Sequence, residues 1–261
     1  MASQELAIRR QEIFRNLASV RQRIEAIVGG KREARLVAIS KLKPISDIRI
    51  AYEDGQRHFG ENYAQELVEK SKELPLDIQW HFVGPLQSNK CKMLAAIPNL
   101  WAVETIDSQS KADLMNKACA SRESPLRIFV QVNTSKEESK SGVPPEECIT
   151  ILNHVQGNCP KLQLAGLMTI GAPNRDPKEP NPDFIVREFT LKNLQTQFQE
   201  TSGIELELSM GMSDDFEEAL KLGATSVRVG SAIFDMRVRK ATSAACPTKK
   251  IIEHYFASTI T

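Results

Sequence analysis

Residues 100–132 read LWAVETIDSQSKADLMNKACASRESPLRIFVQV, and their pattern decides the fold. The runs at 100–105 and 127–132 are short and apolar, as befits strands buried on both faces. Between them, 108–122 has the length and mixed polar-apolar character of a helix. Strand, helix, strand in that order means two parallel strands joined by a helical crossover.

The same unit recurs in both directions. Further runs suited to buried strands lie at 36–40, 58–60, 79–83, 164–170, 205–210 and 226–229, which makes eight. Helical stretches at 61–73, 145–155, 183–201 and 215–222 alternate with them. Eight such units favour an α/β fold closed into a single (β/α)8 TIM-type barrel, with an open sheet as the alternative. The 261 residues match the roughly 250 that such a barrel needs. An extra amphipathic helix at about 4–28 comes first, with Leu6, Ile13, Leu17, Val20, Ile24 and Ile27 at helical spacing and Gly29-Gly30 ending it. The expected organisation is one domain over 1–261, with the barrel at about 36–236 and a tail at 237–261. The segment 171–182, GAPNRDPKEPNP, is expected to be an exposed excursion rather than a linker, because the alternation resumes at Phe184.

Composition narrows the function classes. With 41% hydrophobic and 26% charged residues the chain has a globular composition, and a net charge of +1 gives no field for nucleic acid or an anionic membrane. Arg237, Arg239, Lys240, Lys249 and Lys250 have no interleaved aromatics and read as a solvated tail. No stretch approaches the roughly 20 apolar residues of a membrane span, and residues 1–15 lack the apolar core of a secretory signal. Cys91, Cys119, Cys148, Cys159 and Cys246 are scattered and odd in number, which suggests reduced, mostly buried thiols. The cytoplasm is the expected compartment, with the nucleus as the alternative.

In such a barrel the functional groups come from the carboxyl ends of the strands. The first strand runs into Lys41, followed by Leu42, Lys43 and Pro44. An amine placed there can form a Schiff base with an aldehyde if the site lowers its pKa from about 10.4, although a lone lysine is most often a solvated surface group. Lys43 is expected to turn outward. Asn62, after the second strand, offers a donor and an acceptor at the rim, or else caps the next helix. His81 lies in an apolar strand and reads as a satisfied core histidine, with no ligand at metal-binding spacing. Small residues follow the seventh and eighth strands, so the N–H groups of Ser213, Gly230 and Ser231 are candidates for holding a phosphate. Asp214 and Asp215 are expected to point outward from the first turn of the next helix. Barrel closure would make strands one and eight neighbours, which ties Lys41 to that cradle.

Across these residues the sequence resembles the pyridoxal phosphate homeostasis proteins, relatives of the alanine racemase N-terminal barrel. The matching stretches are 37–44 (VAISKLKP), 59–66 (FGENYAQE), 80–90 (WHFVGPLQSNK), 131–142 (QVNTSKEESKSG), 166–171 (GLMTIG), 208–215 (LSMGMSDD) and 227–234 (VRVGSAIF), in order along the chain. The resemblance implies a fold-type III barrel that holds pyridoxal 5′-phosphate (PLP) covalently through Lys41. It implies that Met212, Ser213, Gly230 and Ser231 receive the phosphate, that Arg228 approaches the pyridine nitrogen, and that Asn62 lines the pocket. It also implies a carrier or buffer of PLP, a regulator of vitamin B6 and amino-acid pools, without a dedicated catalytic reaction. The one noted departure is Asp235, where relatives commonly have glycine.

An arginine at the pyridine nitrogen stays protonated and keeps that nitrogen unprotonated, which makes the ring a poor electron sink. A racemase also needs a second acid/base group, which the similar racemases draw as a tyrosine from an additional domain. The sequence after the eighth strand is expected to be too short for one. Tyr52 reads as a residue of the first barrel helix and Tyr255 as part of the tail, while Tyr63 lies near the rim. The competing readings are a fold-type III racemase or lyase and an interaction scaffold without ligand. Apo forms of PLP-dependent enzymes are the implied partners, and the chain is expected to be a monomer or weak dimer.

Overall fold

The computed structural model describes residues 2–30, 32–134, 141–170 and 182–234. Eight parallel strands close into a barrel in chain order, β1 (Arg35–Ile39), β2 (His58–Glu61), β3 (Gln79–Phe82), β4 (Leu100–Ile106), β5 (Leu126–Gln131), β6 (Leu162–Met168), β7 (Glu207–Ser209) and β8 (Ser226–Val229). Closure is carried by β1 and β8, paired from Arg35↔Ser226 to Ala38↔Val229. The helices around them are α1 (Ala2–Val28), α2 (Ile45–Glu53), α3 (Ala64–Glu73), α4 (Cys91–Ala95), α5 (Gln109–Ala118), α6 (Pro145–Asn158), α7 (Pro182–Ser202), α8 (Phe216–Lys221) and α9 (Ser231–Phe234). The barrel expected from the sequence is present, and every expected strand is found. Segment 171–181, residues 135–140 and everything after Phe234, including Asp235, Cys246, Tyr255 and the basic tail, lie outside the described residues.

Side-chain alternation along the strands sorts the interior. Trp80 and Phe82 on β3, and Val227 and Val229 on β8, belong to the large apolar cluster shared with the helices. Because successive side chains point to opposite faces, His81 and Arg228 point into the barrel. The same alternation sends Glu104 inward between Val103 and Thr105. A separate small apolar cluster joins Ala102, Phe129 and Met168. The barrel interior is therefore partly polar.

Helix α1 is built into this scaffold. Ile13, Leu17, Val20, Ile24 and Val28 form its buried stripe. Two expected positions differ: Leu6 is 54% exposed, and Val28 is buried where Ile27 is only partly so, because the stripe drifts around a helix of 3.6 residues per turn. Polar groups of α1 also satisfy the carbonyls at the end of α9. Arg9 Nη2 donates to Phe234 O at 3.0 Å and Asn16 Nδ2 to Ile233 O at 3.1 Å.

Candidate functional site

Lys41, Asn62, Met212, Ser213, Arg228, Gly230 and Ser231 all line one cavity of about 710 Å³ at the carboxyl end of the strands. Residues from β1, β2, β7 and β8 thus converge, although they are as far apart as positions 41 and 231 in the chain. Ile39, Val83, Met168 and Ile170 provide apolar walls that were not singled out beforehand. Their signal was available in the strand pattern, since each ends or follows a strand.

A buried polar clamp holds the turn that carries Lys41. Lys70 Nζ donates to Ser40 O at 2.8 Å, to Glu61 Oε1 at 2.7 Å and to Glu66 Oε1 at 2.6 Å. Ser40 Oγ donates to Glu61 Oε1 at 2.6 Å, and the Leu42 N–H donates to Glu66 Oε1 at 2.7 Å. Leu42 has a φ of 61°, a left-handed conformation unusual for a branched side chain, and the Glu66 bond fixes it there. Burial pushes the Glu61 carboxyl up, against the opposing pull of Lys70 and Ser40.

Lys43 does not turn outward as expected. It lines the same cavity, and its Nζ donates to Phe234 O at 2.8 Å. The turn at Leu42 breaks the strand alternation, so that rule no longer fixes the direction of the next side chain. Asn62 is not the cap of α3, a position held by Tyr63. Its Oδ1 is buried and accepts no hydrogen bond from the described residues. Close packing holds this segment in place: a Cβ on Gly84 would lie 1.9 Å from Asn62 O.

The loops after β7 and β8 are joined by Ser213. Its Oγ accepts from Gly230 N at 3.2 Å and from Ala232 N at 3.4 Å. A Cβ on Gly230 would sit 3.2 Å from both Ile39 Cβ and Ile39 O, so β1 and β8 approach closely here. Asp214 lines the cavity. Asp215 does not simply point outward either, because its Oδ1 accepts from Met212 N at 2.5 Å and ties the loop after β7 together.

Arg228 enters the cavity from below, on a support the sequence did not reveal. Its Nη1 donates to Ser209 Oγ at 2.7 Å and its Nη2 to Thr169 O at 2.7 Å. Ser209 Oγ donates in turn to Glu104 Oε2 at 2.6 Å, and Glu104 Oε1 lies 2.5 Å from His81 Nδ1. His81 Nε2 lies 2.9 Å from His58 Nδ1. His81 is thus the satisfied core histidine it was expected to be. Burial pushes Glu104 up, but the bond from His81 and the charge of Arg228 outweigh it and hold Glu104 below the usual carboxylate range. Burial lowers the Arg228 pKa, with Glu104 and Asp215 opposing.

Away from this cavity, Asp113 on α5, His154 on α6 and Cys159 at the end of α6 bring ligand atoms within 4.8 Å of one another. His154 Nε2 and Asp113 Oδ1 are 2.7 Å apart, an ordinary hydrogen-bonded pair. The cysteines at 91, 119, 148 and 159 are buried free thiols.

A family model described as the alanine racemase N-terminal domain matches residues 8–237. A pyridoxal phosphate homeostasis protein of Schizosaccharomyces pombe is 47% identical over 219 residues, which cover 84% of this chain and 90% of that one. The human protein of the same name is 44% identical over 239 residues, 85% of each chain. Among solved structures, PipY of Synechococcus elongatus with PLP bound superposes with a TM-score of 0.73 at 30% identity, over 85% of this chain and all of that one. Alanine racemase from Corynebacterium glutamicum, at 14% identity and a TM-score of 0.68, shares the fold. It covers 87% of this chain and 62% of its own. The shared barrel fold and these identities agree, and the chain belongs to the alanine racemase N-terminal domain family and, within it, to the pyridoxal phosphate homeostasis proteins.

Proposed function

We propose that this chain binds PLP in the barrel mouth, covalently through Lys41, and carries or buffers the cofactor without a dedicated catalytic reaction. The observation that carries the reading is the convergence of a lysine, an arginine and the β7 and β8 loops on one cavity. Its volume of about 710 Å³ falls within the range of small-molecule sites. The names of its relatives and the PLP in PipY support the ligand.

The residues present fit such a group. The buried Asn62 Oδ1, without a bond from the described residues, awaits a donor. Both acceptor positions of the Ser213 hydroxyl are taken by the Gly230 and Ala232 N–H groups, so its O–H is left to donate to an anion. Met212, Gly230 and Ser231 shape the same anion end of the cavity. When bound, PLP supplies an aldehyde that condenses with a primary amine and releases water. Lys41 is that amine, on a turn clamped by Lys70 and Glu66. Lys43 lines the same cavity, with its Nζ donating to Phe234 O.

Arg228 presents a guanidinium, which donates hydrogen bonds and does not release its proton in catalysis. Set against the ring nitrogen, it disfavours the carbanion chemistry that a racemase or lyase needs. Among the described residues no tyrosine lines the cavity: Tyr52 OH binds Asp77 and Tyr63 is 51% exposed. Both points support a binding protein over a racemase. Apo PLP-dependent enzymes are the proposed recipients, one domain acting as a monomer or weak dimer is the proposed unit, and the reduced buried thiols suit the cytoplasm or nucleus. Among the described residues no helix is long and apolar enough to cross a membrane.

The test is spectroscopic. Purified protein mixed with PLP should gain a visible absorption band that Lys41→Ala lacks, and it should not exchange the α-proton of alanine or serine in deuterated water. A colourless mixture would favour a ligand-free scaffold, and rapid Lys41-dependent exchange would favour a racemase.

A further inference from the structure

We infer that Glu104 is a positioning residue for the cavity, acting through Ser209 to hold the Arg228 guanidinium in one orientation. The inference deepens the PLP reading above, since it concerns the group set against the ring, but the hold itself exists in the protein without ligand.

Arg228 is only 5% exposed, and Glu104, His81 and Ser209 are fully buried. A guanidinium taken out of water needs an opposite charge and geometric partners. Glu104 supplies the charge, yet Ser209 Oγ stands between the two, accepting from Arg228 at 2.7 Å and donating to Glu104 at 2.6 Å. A relayed contact differs from a direct salt bridge. The guanidinium is drawn toward β7 and also held by Thr169 O at the end of β6, which fixes its plane at two points. Glu104 is itself fixed from the other side by His81 Nδ1, and His81 by His58. The register of β4 against β5 shifts between Val103 and Ile106, and Glu104 lies in that interval.

The chain of contacts spans β8, β7, β4, β3 and β2, and 105 residues separate Ser209 from Glu104. Its four members other than Arg228 are neither expected to bind PLP nor part of the cavity lining. They act on a ligand only through Arg228.

Two variants test this, Ser209→Ala and the isosteric Glu104→Gln, with Ser209→Thr as the control that keeps a hydroxyl. In the unloaded protein, ¹⁵N NMR of the Arg228 side chain should show slow N–H exchange in the wild type and Ser209→Thr, and exchange at least about tenfold faster in Ser209→Ala, as expected when a charge-assisted bond worth roughly 1.4 kcal/mol is lost. With PLP added, Ser209→Ala should still trap the cofactor on Lys41 but bind it roughly tenfold more weakly, with a displaced absorption maximum. Ser209→Ala and Glu104→Gln proteins that fold and match the wild type in exchange rate, affinity and spectrum would overturn the inference. Should the wild type bind no PLP, the functional reading falls, and the NMR arm still decides whether Glu104 holds Arg228.

Discussion

The carbonyl oxygen of Asn62 occupies the space where a side chain on Gly84 would begin, 1.9 Å from an ideal Cβ. Contact that close is possible only for glycine, and it fixes the depth at which Asn62 enters the cavity. Gly84→Ala is expected to cost about 2 kcal/mol of stability, within the range for overpacked buried positions, and to weaken PLP binding by pushing Asn62 off its place. Thermal unfolding alongside a PLP titration checks this. An unchanged affinity would show that the position of Asn62 does not matter to the ligand.

The turn that carries Lys41 makes a second, sharper case. Leu42 is left-handed at φ 61°, which costs a non-glycine residue roughly 1–2 kcal/mol. Leu42→Gly should therefore be close to neutral in urea unfolding, strain relief offsetting the added freedom of the unfolded chain. Leu42→Val should destabilise by more than about 1 kcal/mol, since a β-branched side chain tolerates this conformation least. Equal effects of the two changes would mean that the turn relaxes in solution.

Stability should fall on acidification. The His58 imidazole is pushed down to about 3, first by burial and then by the charges of His81 and Arg35. Between its ordinary value of 6.5 and about 3 the unfolded chain binds a proton that the folded chain does not, so stability rises with pH across that window. Glu104, held low, adds a loss in the same direction below its ordinary 4.5. His58→Asn should flatten the slope between pH 6.5 and 4.5, by at most about 1.4 kcal/mol per unit for one group. Chemical denaturation at a series of pH values measures it, and an unaltered slope would place the titration elsewhere.

The thiols are expected to be inert. Burial pushes Cys148 up to about 12 and Cys119 and Cys159 up to about 11, with Asp113 adding to the last. A disulfide reagent at pH 8 should react with these three at least ~100-fold more slowly than with an exposed thiol. Peptide mapping of the labelled native protein gives the rates.

Much of this molecule was legible in the chain because its signals are local. Apolar runs such as 226–229 and the helix between 100–105 and 127–132 repeat without interruption, and closure follows from counting eight of them. The convergence of Lys41 and Asn62 followed from the barrel rule that strand ends face one mouth, whereas the place of Arg228 was implied by the family resemblance. What was missed lies where periodicity stops or where contacts are distant. Lys43 and Asp215 sit in turns, whose side-chain directions no period governs. The Glu104–Ser209–Arg228 link joins three strands, and a sequence shows only that polar residues occupy inward positions, not which ones meet. A glutamate inside the apolar strand 100–105 was the available hint.

The most direct measurement is mass spectrometry after borohydride reduction of the PLP-treated protein. The expected result is one cofactor per chain, trapped on the peptide that contains Lys41, with nothing on Lys43 and nothing trapped in Lys41→Ala. Label on Lys43, on another lysine or on none would contradict the assignment of Lys41, however faithfully the barrel is formed.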